Sequence, residues 1–300
     1  MTNRLLLKGK DVANGIYESI IPRIQVLKEK NIIPKLQVII VGERPDSMMY
    51  VRMKKKKAES LGLITEIKYC SSDIGNTEML ELISDYNNDI SIHGILVQLP
   101  LPIQLDTNNI LDSVNPNKDV DGFHTTNFGS LALNQDQYGY FSPCTAVACL
   151  EFLDHYEINP RGKDVVIIGA SRVIGLPVSL LLLNRRATIT ICHSATKNLK
   201  EKCQMADIII SACGKAQVIK GDWVKSDAII IDVGINSIVV EEMINGELKI
   251  KKKMVGDVDF DDVREKCYAI TPVPGGVGPV TIAVLMKHLV KSAELYYPTN

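Results

Sequence analysis

The chain has 300 residues, 46% of them hydrophobic and 23% charged, with a formal net charge of −1. That length accommodates two domains at roughly 150 residues each, and the composition suits a soluble globular protein with sizeable cores. A near-neutral balance with no basic tail excludes a general nucleic-acid or membrane-surface binder, and no apolar run nears the roughly 20 residues of a membrane span.

Apolar residues at helical spacing (Val12, Ile16, Ile20, Ile24, Leu27) predict a helix over residues 11–30. An apolar strand over 35–42 ends in Gly42, and a loop over 43–46 leads into a helix to about 61, with Ser47 at its start. A strand over 66–69, a helix over 76–88 and a strand over 93–99, stopped by Pro100 and Pro102, complete the first unit. Strand–helix alternation with continuous apolar strands indicates a parallel sheet covered on both faces. Residues 116–143, rich in Asn, Asp and Gly, read as an extended loop, and a helix over 145–156 bridges to a second unit beginning at Lys163. There a buried strand over 164–169, a turn over 170–175 and a helix over 176–184 precede strands over 187–192, 206–211 and 228–234. Repeated β-α-β units with glycine directly after the first strand form the pattern of a dinucleotide-binding fold. A final helix is expected over 280–291.

Residues 1–7 carry too short an apolar stretch and no small-residue cleavage site, so no signal peptide is read and a cytoplasmic location is expected. Seven scattered cysteines without a C-x-x-C pair, and five histidines that do not cluster with them, point to buried free thiols and no metal site.

Several stretches carry chemistry. Gly169-Ala170-Ser171-Arg172-Val173-Ile174-Gly175 sits at a strand-to-helix turn, where a pyrophosphate meets backbone N–H groups and a helix dipole. It lacks the middle glycine of G-x-G-x-x-G, so a tight turn with no ligand is the alternative. The next strand ends in His193-Ser194, without the acid that holds the ribose 2′-OH of NAD. Ser194 and Arg172 suit a 2′-phosphate, which favours NADP while leaving NAD open. Tyr50 and Lys54 lie four apart, on one helical face. Within Lys54 to Lys57 the plain reading is a solvated face; the functional one turns a lysine inward, where burial lowers its pKa into a range useful for proton transfer. Gln98 closes a strand at the sheet edge where ligands bind. Lys118-Asp119-Val120-Asp121-Gly122 places two acids in a loop that is otherwise an ordinary turn. Residues 270–279 pack three prolines and three glycines into ten positions, either a surface linker or a loop shaped around a bound molecule.

Taken with Gly94 to Pro102, Asp232-Val233-Gly234-Ile235-Asn236 and Gly256 to Phe260, these segments run through nearly the whole chain. In that order the sequence resembles the methylenetetrahydrofolate dehydrogenase/methenyltetrahydrofolate cyclohydrolase family of the bifunctional FolD type. The resemblance implies an α/β protein of two domains with a substrate cleft between them. Residues 1–144 plus 277–300 would form a parallel-sheet, folate-binding catalytic domain, and 145–276 a Rossmann-type NAD(P)-binding domain. The helix after Pro279 would return to the first domain and make it discontinuous.

The implied activity oxidises 5,10-methylenetetrahydrofolate with NADP and hydrolyses the methenyl product to 10-formyltetrahydrofolate. By the same resemblance Lys54 is the acid/base group of the hydrolysis, Gln98 tunes it, Asp121 holds the pterin and Tyr50 stacks on the folate. Val97, Leu99, Pro272, Gly275, Gly276 and Val280 would complete the folate site. Gly169, Ala170, Ser171, Arg172, Ser194 and Ile235 would hold the cofactor. A homodimer formed through the second domain is implied as well.

The sequence departs from the family pattern in places. Pro143-Cys144-Thr145-Ala146 replaces Pro-Cys-Thr-Pro, Ala170 and Ala195 stand where basic residues are usual, and Val280 replaces methionine. A mainly cyclohydrolase enzyme, or one preferring NAD, is therefore the alternative within the family. Outside it, a non-catalytic dinucleotide-binding regulator would lack the set Lys54, Gln98 and Asp121. A short-chain dehydrogenase, which also uses Tyr-x-x-x-Lys, would place the glycine turn before the pair.

Overall fold

The computed structural model describes residues 4–135, 141–244 and 247–296, with the backbone alone at 241–244 and 247–249. In chain order the elements are β1 (Leu5–Leu6), α1 (Gly9–Glu29), β2 (Lys35–Val41), α2 (Pro45–Ser60), β3 (Ile64–Cys70), α3 (Asn76–Asn88), β4 (Gly94–Val97), α4 (Thr107–Asp112), α5 (Thr125–Ala132) and α6 (Cys144–His155). The second half holds β5 (Asp164–Ile168), α7 (Gly175–Asn184), β6 (Thr188–Cys192), α8 (Leu199–Met205), β7 (Ile208–Ser211), β8 (Ile229–Asp232), β9 (Asn236–Ile244), β10 (Glu247–Val255), α9 (Phe260–Arg264), β11 (Ala269–Ile270) and α10 (Val277–Tyr296). The chain divides into two units: Asn14–Cys144 with Ile282–Asn300, and Met1–Ala13 with Thr145–Thr281.

In the first unit β2 is central, with β3 and β4 parallel on either side. β2 and β4 are buried along almost their whole length, as strands covered on both faces are, whereas the edge strand β3 carries Thr65, Glu66 and Lys68 and is largely exposed. Ile39 and Val41 of β2 pack with Ile95 and Val97 of β4 and with Met79 and Ile83, which lie one turn apart on α3. The expected α2 starts earlier than Ser47: Pro45 occupies the first turn, where its missing N–H costs nothing, and Ser47 is buried inside the helix.

Residues 116–143, expected to be a loop throughout, include α5, and residues 136–140 lie outside the described residues. His124 caps α5, its Nδ1 accepting from the Thr126 N–H at 3.0 Å, a capping role the composition-based expectation of loop did not weigh. Residues 118–120 run beside β4, joined by a parallel bridge between Ile95 and Asp119 and by Ile95 N–H donating to the Lys118 carbonyl at 2.7 Å.

The second unit is built on a six-stranded parallel sheet in the order β6-β5-β7-β8-β11-β1. Val166, Ile168, Ile209 and Ile230 form its core with Cys192, Cys203 and Ile270. Two acids pin the strand ends. Asp232 accepts from the backbone N–H groups of Gly234, Asp257 and Val258 at 2.9–3.1 Å. Asp257, wholly buried, accepts from Cys213, Gly214 and Lys215 N–H, from Ser211 Oγ and from Asn236 Nδ2. The two motifs are therefore tied together: Asp232 caps the loop at Asp257 and Val258, while Asp257 caps residues 213–215 and holds the Asn236 side chain. Residues 4–13, placed by the sequence with the first domain, lie here because Leu5 and Leu6 extend the sheet beside Ala269 and Ile270. The antiparallel ribbon β9–β10, not foreseen from sequence, projects Val239 and Ile250 into solvent, 67% and 72% exposed.

Candidate active site

The candidate residues of the first unit come from three segments. Helix α2 turns Ser47, Val51, Lys54 and Ala58 inward, so Lys54 is 8% exposed although its neighbours Lys55 and Lys56 are solvated. The plain reading of this run as a solvated face fails at Lys54 and holds for the next two. Gln98 follows β4 directly and is half-buried. Its Oε1 accepts from Lys54 Nζ at 3.0 Å, and its Nε2 donates to the Leu99 carbonyl at 2.8 Å. That second bond fixes the amide so that oxygen faces the lysine. Tyr50, one turn before Lys54, is half-buried, and burial raises its phenol pKa.

Asp121 arrives on the segment beside β4. Burial lowers the Lys54 pKa, and the neighbouring Asp121 and Cys144 pull it part of the way back. Burial raises Asp121, opposed by the Lys54 charge and by the Cys144 thiol that faces it. A lysine whose pKa is lowered and a carboxylate whose pKa is raised beside it have proton affinities closer to each other than the same groups have in water.

The loop carrying Asp121 is held from both sides. Lys118, fully buried, donates through Nζ to the carbonyls of Tyr86, Asn87 and Asp89 at 2.7–3.1 Å, satisfying the C-terminal end of α3. The Asp119 carboxylate accepts from Gly122 and His124 N–H and from Asn127 Nδ2 at 2.8–3.1 Å. Of the two acids noted in this loop, Asp119 is thus spent on structure, whereas Asp121 faces Lys54 and Cys144. Cys144, which the sequence treated only as part of a motif, joins the cluster at the start of α6. Val97, at the end of β4, is buried, and Leu99 is half-buried.

In the second unit β5 ends at Ile168 and Gly169 takes φ +114°. A Cβ on Gly175 would stand 1.7 Å from the Gly169 carbonyl oxygen, so the turn closes only with glycine at that position. Ser171 Oγ accepts from Ile174 N–H at 3.2 Å, and Ala170, Ser171 and Arg172 lie exposed before the N-terminus of α7. A glycine-lined cradle, with the positive end of a ten-residue helix behind it, fits a dinucleotide pyrophosphate. Beyond β6, His193 Nδ1 accepts from Ala195 N–H and Thr196 Oγ1 from His193 N–H, leaving Ser194 at the exposed tip. Neither Asp nor Glu stands there to repel a 2′-phosphate. Ile235 is 48% exposed. Pro272 is half-buried and Gly275 exposed, whereas Gly276 and Val280 are buried, Val280 completely. Among the described residues no group of three or more His, Cys, Asp and Glu is placed to hold a metal.

A buried lysine beside a buried carboxylate at an α/β sheet edge, in a chain that also carries a glycine-lined turn before a helix of a six-stranded parallel sheet, fits the class of nicotinamide-dependent α/β enzymes. The comparisons with known proteins narrow it. The catalytic-domain model of tetrahydrofolate dehydrogenase/cyclohydrolase matches residues 7–121, and the NAD(P)-binding-domain model of the same enzymes matches 143–297. The chain belongs to the tetrahydrofolate dehydrogenase/cyclohydrolase family. It is 43% identical to the bifunctional protein FolD of Bacillus pumilus over 96% of this chain and 97% of that one. It is 45% identical to the mitochondrial C-1-tetrahydrofolate synthase of Saccharomyces cerevisiae over 96% of its own length, but spans only 29% of that larger protein. Among solved structures, the Trypanosoma brucei methylenetetrahydrofolate dehydrogenase-cyclohydrolase, complexed with NADP and an inhibitor, superposes with a TM-score of 0.92 at 33% identity, over 100% of both chains.

Proposed function

We propose that this chain performs both reactions of its family with Lys54 as the proton-transfer group. It oxidises 5,10-methylenetetrahydrofolate with NADP and hydrolyses 5,10-methenyltetrahydrofolate to 10-formyltetrahydrofolate. The observation that carries the assignment is the buried Lys54 Nζ bonded to Gln98 Oε1 at 3.0 Å, with Asp121 beside it. NADP, held by Gly169, Ala170, Ser171, Arg172, Ser194 and Ile235, supplies the hydride acceptor for the first reaction.

Hydrolysis adds water to the electrophilic methenyl carbon, which requires a base for one water proton and an acid for the departing N5. Lys54 with its lowered pKa accepts the first proton and returns one to N5 as the carbon–N5 bond breaks, leaving the formyl group on N10. Gln98 keeps the ammonium or amine pointed at the reacting carbon. Asp121 accepts hydrogen bonds from the pterin ring, while Tyr50 stacks on the folate, with Val97 and Leu99 contributing main chain at the strand end. By resemblance to the family, Pro272, Gly275, Gly276 and Val280 are assigned to the folate as well, Val280 through its backbone because its side chain is buried.

Lys54→Met is expected to lower the rate of methenyl hydrolysis by about 10²–10⁴-fold, read from the loss of methenyl absorbance. Undiminished hydrolysis would remove Lys54 from the mechanism. We also propose that the chain works in the reducing cytoplasm, which suits its free cysteines, and as a homodimer through its dinucleotide unit, whose ribbon leaves Val239 and Ile250 uncovered.

A further inference from the structure

We propose that His288, on the C-terminal helix α10, is a positioning residue for Asp121, acting through the Val120 carbonyl and the Cys144 thiol. The inference rests on the reading of Asp121 as the pterin-binding carboxylate.

The hydrogen bonds leave little choice of protonation. His288 is buried, and its Nδ1 lies 2.9 Å from the Val120 carbonyl oxygen. A carbonyl oxygen only accepts, so Nδ1 carries the proton and donates. Burial lowers the ring's pKa to about 4, so at neutral pH this is the one N–H the ring has. Lys287 and Lys291 on the same helix push in the same direction. The Phe141 ring packs at 5.3 Å and completes the enclosure.

Cys144 meets the same atoms. Its Sγ stands 3.2 Å from the Val120 oxygen and 3.5 Å from His288 Nδ1, and it also faces the Asp121 carboxylate. A thiol has one proton, and here it has two acceptors within reach. The Val120 oxygen has two lone pairs, so it accepts from both the imidazole N–H and the thiol, and the two donors hold it together. Without His288 the Val120 carbonyl keeps, among the described side chains, the weaker thiol as its donor, and the backbone leading into Asp121 is held less firmly. The Asp121 main chain is fixed in parallel, its carbonyl accepting from Cys144 N–H at 3.3 Å. The two peptides that flank the Asp121 Cα are therefore each gripped at the carbonyl, that of Val120 by α10 and that of Asp121 by α6, and the carboxylate projects from a held backbone.

The consequence is a specific pattern of kinetics. The amide nitrogen of asparagine sits where His Nδ1 sits, two bonds beyond Cβ, whereas glutamine places its amide one carbon further out. His288→Leu is expected to raise the KM for the folate substrate about tenfold in both reactions while leaving the KM for NADP unchanged. His288→Asn is expected to stay within about twofold of the parent, and His288→Gln to follow the leucine variant. A purely structural histidine would lower the melting temperature and the fraction of active enzyme without moving one substrate's KM. Unchanged folate KM in His288→Leu, or equal behaviour of Asn and Gln, overturns the proposal; if the leucine variant does not fold, the Asn–Gln comparison decides alone. Asp121→Asn is measured beside them. A raised folate KM there with none in His288→Leu overturns the clamp alone, and no change in either overturns the reading of Asp121 on which the clamp depends.

Discussion

Burial lowers the pKa of both Lys54 and His288, and for each the reason is the phase of a helix. Lys54 shares its inward stripe with Ser47, Val51 and Ala58, while Lys57, one turn of the run later, lies over the Tyr17 ring at 4.2 Å. That stripe is visible in the sequence as a spacing of three and four; the four-lysine run conceals it by looking uniformly solvated. His288 gives no comparable signal. It sits in an apolar helix as one polar residue among many, and its partner Val120 is 168 positions away. Its cost is measurable, however. A histidine ordinarily titrating near 6.5 and held to about 4 in the fold leaves the unfolded chain binding the proton first as pH falls. The stability it contributes is complete above pH 6.5 and is lost progressively down to about 4, a loss of about 3 kcal/mol for a shift of that size. Denaturant titrations at pH 7 and pH 4 should show that this part of the acid loss disappears in His288→Asn. Equal acid sensitivity in both proteins would place the loss elsewhere.

At the scale of elements, strands and long helices followed from apolar periodicity, and α3 falls on the span its spacing predicts, because Met79 and Ile83 mark one face without ambiguity. What escaped was set by distant partners. β1 is two residues long, with no periodicity to read, and exists because β11 offers it an open edge. The Pro/Gly stretch is placed in the same way: Gly9 N–H donates to the Gly275 carbonyl at 2.9 Å, and a Cβ on Gly9 would lie 1.9 Å from the Gly276 oxygen. The opening of the chain therefore fixes a loop more than 260 residues later.

The ribbon β9–β10 escaped because its alternation is weak, and an isolated two-stranded ribbon is marginal in water. Its cross-strand register supplies a test of the homodimer. Val239 opposes Lys252, and Ile250 opposes Glu241. Val239→Glu with Ile250→Lys therefore removes the exposed apolar surface while creating opposite-charge pairs that support the ribbon. Light scattering should find the parent near twice 33.2 kDa and the double variant near 33.2 kDa. A double variant that keeps the larger mass excludes the ribbon as the contact.

Across the whole molecule, the dinucleotide unit was the more legible half because it is nearly continuous, Thr145–Thr281 with only Met1–Ala13 added from outside. The catalytic unit is assembled from Asn14–Cys144 and Ile282–Asn300, and the division passes through α1, α6 and α10. Helices that continue through a boundary leave no break in composition, so sequence marks the two chemistries better than it marks where one unit ends. The choice between nicotinamide cofactors depends on the dinucleotide unit alone, and can be read through stability without any turnover. A ligand that binds only the folded state stabilises it by about 2.7 kcal/mol at one hundred times its dissociation constant. Arg172 stands exposed in the turn before α7, and it is the one arginine between β5 and that helix. If its guanidinium meets the 2′-phosphate, Arg172→Ala removes a charged hydrogen bond worth about 1.5–3 kcal/mol and weakens NADP by about 10–100-fold. NAD, which has no such phosphate, should bind the variant and the parent alike. The thermal shift produced by NADP should then fall to that produced by NAD in the variant, while the parent keeps the difference. A difference that survives the substitution would move phosphate recognition from Arg172 to the Ser194 turn, where the exposed tip between His193 and Ala195 is the remaining surface at the end of β6.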